Sequence, residues 1–179
     1  MPGASKEGFL SRDVLAAQAR AQTADVFAKV YVFPALFVVD ITVGAPGSSG
    51  ARDATVQAGP QLMTMLGGGM NAFRYLHEVG FLVKRPGNPF PQFVSVGRAS
   101  NNDLVFAVDS VSKFHGYFTL ENGRWAITDF RSTNGTELNG KRLEPTIPTP
   151  VEDRARLRFG EHVVVEFLEP RSLHAKLRG

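Results

Sequence analysis

Three short segments of the chain carry hydrogen-bond donors with no acid among them: "VGRAS" (96–100), "VSKFHG" (111–116) and "RSTNGT" (131–136). They offer a guanidinium at Arg98, hydroxyls at Ser112 and Thr133, an ammonium at Lys113 and a carboxamide at Asn134. Such a set suits a small, highly charged anion. A phosphate ester on a side chain fits, with a charge of about −1.5 to −2 near neutral pH and three strong acceptor oxygens. Arginine can hold two of those oxygens through parallel bonds, while hydroxyls and backbone N–H groups complete the shell.

Other chemistries fare worse on the same residues. Ser112, His115 and Asp129 are the residue types of a hydrolase triad, but no oxyanion-hole element accompanies them. His77-Glu78 opens like a zinc-protease signature, yet position 81 is Phe, so the second ligand is missing. "GGGM" (67–70) lacks the Lys-Ser/Thr end of a phosphate-binding loop, and "GSSGA" (47–51) lacks the last glycine of a nucleophile elbow. The sequence therefore predicts no catalytic residue, no metal site and no cofactor.

The donor segments need elements to hold them. From about residue 76, short runs alternate in polarity at strand spacing: "VGFLVK", "FVSV", "LVFAV", "YFTL", "RWAI", "RLRF" and "HVVVEFL". Turn signals such as "RPGNPFP", "ASNND", "ENG", "STNG" and "LNGK" separate them. This pattern predicts an antiparallel β-sandwich over 76–169, with its loops, and the donors on them, at the ends. Asn122-Gly123 reads as a type I′ hairpin turn, and Asn139-Gly140 as a second ordinary turn. Asn134-Gly135 reads differently, as a corner that presents Thr133 and Asn134. The expected core is Val94, Val96, Leu104, Phe106, Phe118, Leu120, Trp125, Ile127, Leu157, Phe159, Val163, Val165 and Phe167.

Ahead of the sandwich lies a smaller helical and short-strand region, 1–75. Residues about 5–30 are expected to be helical, with Ser11 as a cap and Val14, Leu15, Val26, Phe27 and Val30 near a helical period. Pro34 ends that pattern, and "ALFVVDITV" (35–43) reads as a strand. The breaker-rich stretch at about 44–60 reads as a linker, and 61–76 as a broken helical turn or two. Residues 170–179 carry three basic groups and no acid, and read as a basic tail.

Bulk properties narrow the function classes. The chain has 179 residues, a net charge of +3 and no cysteine, which excludes disulfides and thiolate metal sites. The excess charge can be assigned to the last ten residues, so no basic face for nucleic acid is expected. The N-terminus lacks a secretory apolar core, and "VYVFPALFVV" with Pro34 inside it is too short to span a bilayer. A cytoplasmic setting without membrane contact is the expectation.

The ordered set Gly97-Arg98, Ser112-Lys113-Phe114-His115, Asp129, Ser132-Thr133-Asn134-Gly135-Thr136 and Asn139-Gly140 resembles the forkhead-associated (FHA) domain family. The resemblance covers roughly residues 76–169. It implies a β-sandwich that binds phosphothreonine in partner proteins, as an adaptor in Ser/Thr kinase signalling and not as an enzyme. By position, it makes Arg98, Ser112 and Thr133 phosphate contacts, with Lys113 nearby and Asn134 on the peptide main chain. Gly97, His115 and Gly135 become loop supports. The implied partner is a phosphothreonine protein, a kinase or its substrate, or a second copy of the chain phosphorylated at a threonine such as Thr23 or Thr55. The rival readings are a phosphate-independent interaction scaffold of the same fold and a Ser/His hydrolase. Ligand preference beyond the phosphate is expected to lie in flanking loops, including "ELNGKRLEPTIPTP" (137–150).

Overall fold

A computed structural model describes residues 8–41 and 74–179. The linker expected at about 44–60, residues 61–73 of the expected broken helix, and Thr55 lie outside the described residues. Twelve strands and three α-helices are formed among those described. One sheet takes the order β1 (Phe9–Ser11), β3 (Glu78–Phe81), β2 (Ala35–Ile41), β12 (Val163–Leu168), β11 (Arg156–Phe159), β8 (Thr136–Leu138), β9 (Lys141–Arg142). The other runs β10 (Thr149–Pro150), β7 (Arg124–Asp129), β6 (Gly116–Glu121), β4 (Val94–Gly97), β5 (Leu104–Val105). All pairings are antiparallel except β4 with β5. The protein is mostly β, a two-sheet sandwich.

Side-chain alternation explains how the sheets close on each other. Val94, Val96, Phe118 and Ile127 from one sheet meet Leu36, Leu157, Phe159, Val163, Val165 and Phe167 from the other in one buried cluster. β2 and β12 are apolar on both faces, because a second layer covers the seven-stranded sheet. Along β2, Leu36 and Val38 enter the sandwich while Ala35 and Phe37 face helices α1 (Arg12–Ala21), α2 (Ala24–Val30) and α3 (Pro170–Arg178). Val38 pairs with Val165 and Asp40 with Val164, so Val39 is an extra residue. That bulge returns Ile41 to the interior.

Several expectations are corrected. The single helix expected over 5–30 is a short strand and two helices, broken at Gln22-Thr23. Thr23 caps α2, its Oγ1 accepting from Val26 N at 3.4 Å, whereas Ser11 makes no side-chain cap bond. The buried face of these helices is Leu15, Ala16, Ala19 and Phe27, and Val14, Val26 and Val30 are exposed. Leu120, read as core, is 53% exposed. It lies beside the Asn122-Gly123 turn, where the hairpin runs past the packed interior. Trp125, its cross-strand partner, packs against the core only in part.

Residues 170–179 do not form a free basic tail. Pro170 occupies the first turn of α3, where its missing N–H costs nothing. Leu173 and Leu177 are buried with Phe27, and His174 Nε2 lies 3.0 Å from Gln22 O. Lys176 pairs with Glu166 at 2.8 Å, and Arg171 pairs with Asp25. The division drawn at residue 76 is likewise crossed by structure: β2 sits between β3 and β12, inside the sheet that contains β8 and β11.

Leu173 is fully buried between helices and sheet. Leu173→Ala is therefore expected to lower unfolding stability in urea by about 2–5 kcal/mol. A change within the scatter of a surface substitution would mean that α3 does not dock.

Candidate functional site

Three loops at one end of the sandwich converge: 98–103 between β4 and β5, 106–115 between β5 and β6, and 130–135 between β7 and β8. Backbone bonds lock the first to the second. Arg98 N donates to Ser112 O at 2.8 Å, and Ala99 N donates to Lys113 O at 3.1 Å. Asn102 Nδ2 donates to Lys113 O at 2.7 Å and to Ala99 O at 2.8 Å. A β-carbon at Gly97 would run into Lys113 O and sit 2.7 Å from Asn102 Nδ2, so only glycine lets these loops approach. Asp103 anchors the 98–103 loop from below. Its carboxylate accepts from Lys84 Nζ, Arg85 N and Ser95 N, each at 2.8 Å.

The second and third loops are joined through a buried imidazole. His115 Nδ1 accepts from Ser112 N at 3.1 Å, which places the ring proton on Nε2, 3.2 Å from Gly135 O. Burial lowers the His115 pKa against the opposing pull of Asp129 and Gly135, so the ring is neutral. Its 3.9 Å approach to Asp129 is thus no ion pair. Asp129 instead organises the 130–135 turn. Oδ1 accepts from Ser132 N at 2.9 Å, while Oδ2 accepts from Ser132 Oγ and from Thr136 Oγ1, both at 2.6 Å. Burial pushes this carboxyl up, but the hydrogen bonds from Ser132 and Thr136 outweigh it and hold it below its ordinary value. Gly135 closes the turn with a φ of 79°, the left-handed region that favours glycine.

These supports bring together donors far apart in sequence. Thr133 N donates to Ser112 Oγ at 3.0 Å, and Ser112 Oγ donates to Thr133 Oγ1 at 3.3 Å. Arg98 Nε donates to Val111 O at 3.2 Å, next to Ser112. The two Nη groups of Arg98 make no hydrogen bond or ion pair among the described residues. Asn134 Nδ2 donates to Ser110 O at 3.0 Å, which leaves the amide oxygen outward as an acceptor. Lys113 is exposed at the rim, and its ammonium pairs with no carboxylate among the described residues. Arg98, Ser112, Lys113, Thr133 and Asn134 thus share one mouth of the sandwich. The triad alternative lacks its first bond, since His115 engages the backbone of Ser112 and not its hydroxyl. Among the described residues no group of metal-ligating side chains occurs.

Sequence reasoning assigned no role to Asn102 or Asp103 and did not foresee the bonds Asp129 makes. The Asp-x-x-Ser spacing at 129–132 is a turn signal that could have found the last of these.

Residues 94–160 match the family model for the FHA domain. These residues thus carry an FHA domain, and the N-terminal part matches no family model. Over 72 residues the chain is 38% identical to the E3 ubiquitin-protein ligase rnf8 of Danio rerio, covering 37% of this chain and 15% of that protein. It is 32% identical over 73 residues to the FHA domain-containing protein FhaB of Mycolicibacterium smegmatis, covering 41% of this chain and 46% of FhaB. The chain therefore spans less than half the length of either relative. Among solved structures, it is similar to the N-terminal FHA domain of S. cerevisiae Rad53p in complex with a phosphothreonine peptide. There the TM-score is 0.45 at 16% identity, covering 80% of this chain and 98% of that one.

The neutral His115 ring sets a pH dependence. Its pKa is lowered in the folded state, so an unfolded chain takes up a proton first as pH falls below about 6.5, and stability drops. Asp129, also lowered, extends the loss at more acid pH, because its carboxylate stays charged in the fold below the pH at which it protonates unfolded. Imidazole 15N shifts followed through an acid titration are expected to show His115 taking up its second proton at lower pH than a histidine of the unfolded chain, with the proton on Nε2 before that point. A ring that protonates no later than an unfolded-chain histidine would contradict the bridge.

Proposed function

We propose that this chain is a phosphothreonine-dependent binding module that recognises a phosphorylated partner protein in Ser/Thr kinase signalling. The observation that carries the reading is the hydrogen-bonded pair of Ser112 and Thr133 beside a guanidinium whose Nη groups have no partner among the described residues. A dianionic phosphate seated there takes two parallel bonds from Arg98 and hydroxyl bonds from Ser112 and Thr133, with Lys113 adding charge at the rim. The outward oxygen of Asn134 accepts from the ligand's backbone N–H and fixes the peptide beside its phosphate. Gly97, His115 and Gly135 act one step back, by holding the three loops at this spacing.

The partner is a protein carrying phosphothreonine, a kinase or a kinase substrate. A second copy of the chain is one such source: Thr23 is exposed at the start of α2, a position a kinase can reach. A reducing, cytoplasmic setting suits a chain without cysteine. Among the described residues no helix is long and apolar enough to cross a membrane.

Titration of the whole chain with a phosphothreonine peptide and its unphosphorylated twin tests this reading. Arg98→Ala is expected to weaken the phosphorylated complex by about 2–5 kcal/mol. Arg98→Lys keeps the charge but loses the fork, and should fall between the two. Equal affinity for both peptides overturns the phosphate site in favour of a phosphate-independent scaffold. A melting curve of each variant separates loss of binding from loss of fold, since Arg98 also bonds Val111 O.

A further inference from the structure

Tyr75 belongs to the part of the chain that matches no family model, yet it bonds a loop of the phosphate site. It sits in the short 3₁₀ helix Arg74–His77 and is fully buried. A tyrosine hydroxyl so placed needs a polar partner. Here it accepts from Ala107 N at 3.0 Å. The ring is held by Phe9 of β1 at a centroid distance of 5.3 Å and by Phe106 at 5.4 Å. Phe9 reaches this place because residue 80 is glycine: a β-carbon there would sit 2.8 Å from Phe9 Cε1. Packing from both sides therefore fixes the hydroxyl.

Ala107 is where the 106–115 loop leaves the sheet. Phe106 N still donates to Gly97 O, at 3.0 Å, while Ala107 is itself exposed. From there backbone bonds lead toward the site. Val108 N donates to Phe106 O at 2.8 Å, and Val111 N donates to Val108 O at 2.9 Å. Val111 O is the acceptor that orients Arg98 through Nε. The Tyr75 hydroxyl thus grips one end of a hydrogen-bonded turn whose other end aims the guanidinium. Without it the Ala107 N–H turns to water, and the turn loses its fixed start.

We propose that Tyr75 is a positioning residue for phosphothreonine binding, acting through the 108–111 turn and Val111 O on the guanidinium of Arg98. The inference rests on the phosphate-site reading and extends the site to a residue outside the matched domain, 94–160. Tyr75 touches no ligand. Its effect is to reduce the freedom that Arg98 gives up when it grips the phosphate.

The test is a double-mutant cycle on the full chain, read by titration with a phosphothreonine peptide and its unphosphorylated twin. Tyr75→Phe keeps the ring between Phe9 and Phe106 and removes only the hydroxyl. It is expected to weaken the phosphorylated complex roughly three- to tenfold, the scale of one neutral hydrogen bond. Arg98→Lys puts a methylene where Nε stands, so with that change in place Tyr75→Phe should cost about twofold or less. A purely structural role would cost the same factor in both backgrounds. Amide hydrogen exchange of the unmutated chain reads the bond itself, whether or not the variant folds. Ala107 N–H is expected to exchange far more slowly than an open amide. Exchange at the open rate, a loss below about threefold from Tyr75→Phe alone, or equal losses in both backgrounds overturns this inference and leaves the phosphate site standing. Failure of the wild type to prefer the phosphorylated peptide overturns both.

Discussion

One neutral imidazole holds the functional end of this molecule together. His115 is fully buried, accepts from Ser112 N on one loop and donates to Gly135 O on another. The two loops are separated by the whole β6–β7 hairpin, so nothing local in sequence sets their spacing. The hydroxyls of Ser112 and Thr133 meet because the ring fixes the backbone on either side of them. Burial keeps the ring uncharged, and both nitrogens are occupied, so the bridge has one geometry and one tautomer. Arg98 joins the same assembly through Ser112 O, and Asp129 shapes the far loop by accepting from Ser132 and Thr136.

The helical layer makes the sandwich deeper than its sequence limits imply. β2 and β12 are apolar on both faces because one side meets the opposite sheet and the other meets α1, α2 and α3. Residues 8–41 and 170–179 are therefore packed on the sheet that also contains β8, the strand after the 130–135 loop. Leu10, Leu15 and Phe27 from the N-terminal region share a core with Leu168, Leu173 and Leu177 from the C-terminal end. Loss of that layer would expose Phe37, Val79 and Phe81 to water.

Legibility in the sequence followed the range of the interactions involved. Strands β4, β6, β7, β11 and β12 could be read because period-two alternation is a local signal, and the Asn122-Gly123 turn because both residues adopt positive φ. The donors were named from residue type and order, and the fold gathers them at one end of the sandwich. What could not be read depended on distant partners. A strand at 35–43 was visible, but its place between β3 and β12 was not, since β2 and β12 pair residues 122 to 133 positions apart and leave no local mark. The charge of 170–179 looked unpaired because Asp25 is remote in sequence from Arg171, and Glu166 meets Lys176 only once α3 folds back on β12. The fork between Arg158 and Glu137 could not be read either, because it exists only once β8 and β11 pair.

The central claim is that a phosphate sits where Arg98, Ser112 and Thr133 converge. Backbone amide NMR on the full chain, titrated with a phosphothreonine peptide and with its unphosphorylated twin, tests it most directly. The account predicts shifts concentrated at the amides of residues 98–99, 112–113 and 133–135 with the phosphorylated peptide alone. Shifts centred on another face of the sandwich, or equal shifts with both peptides, would contradict it.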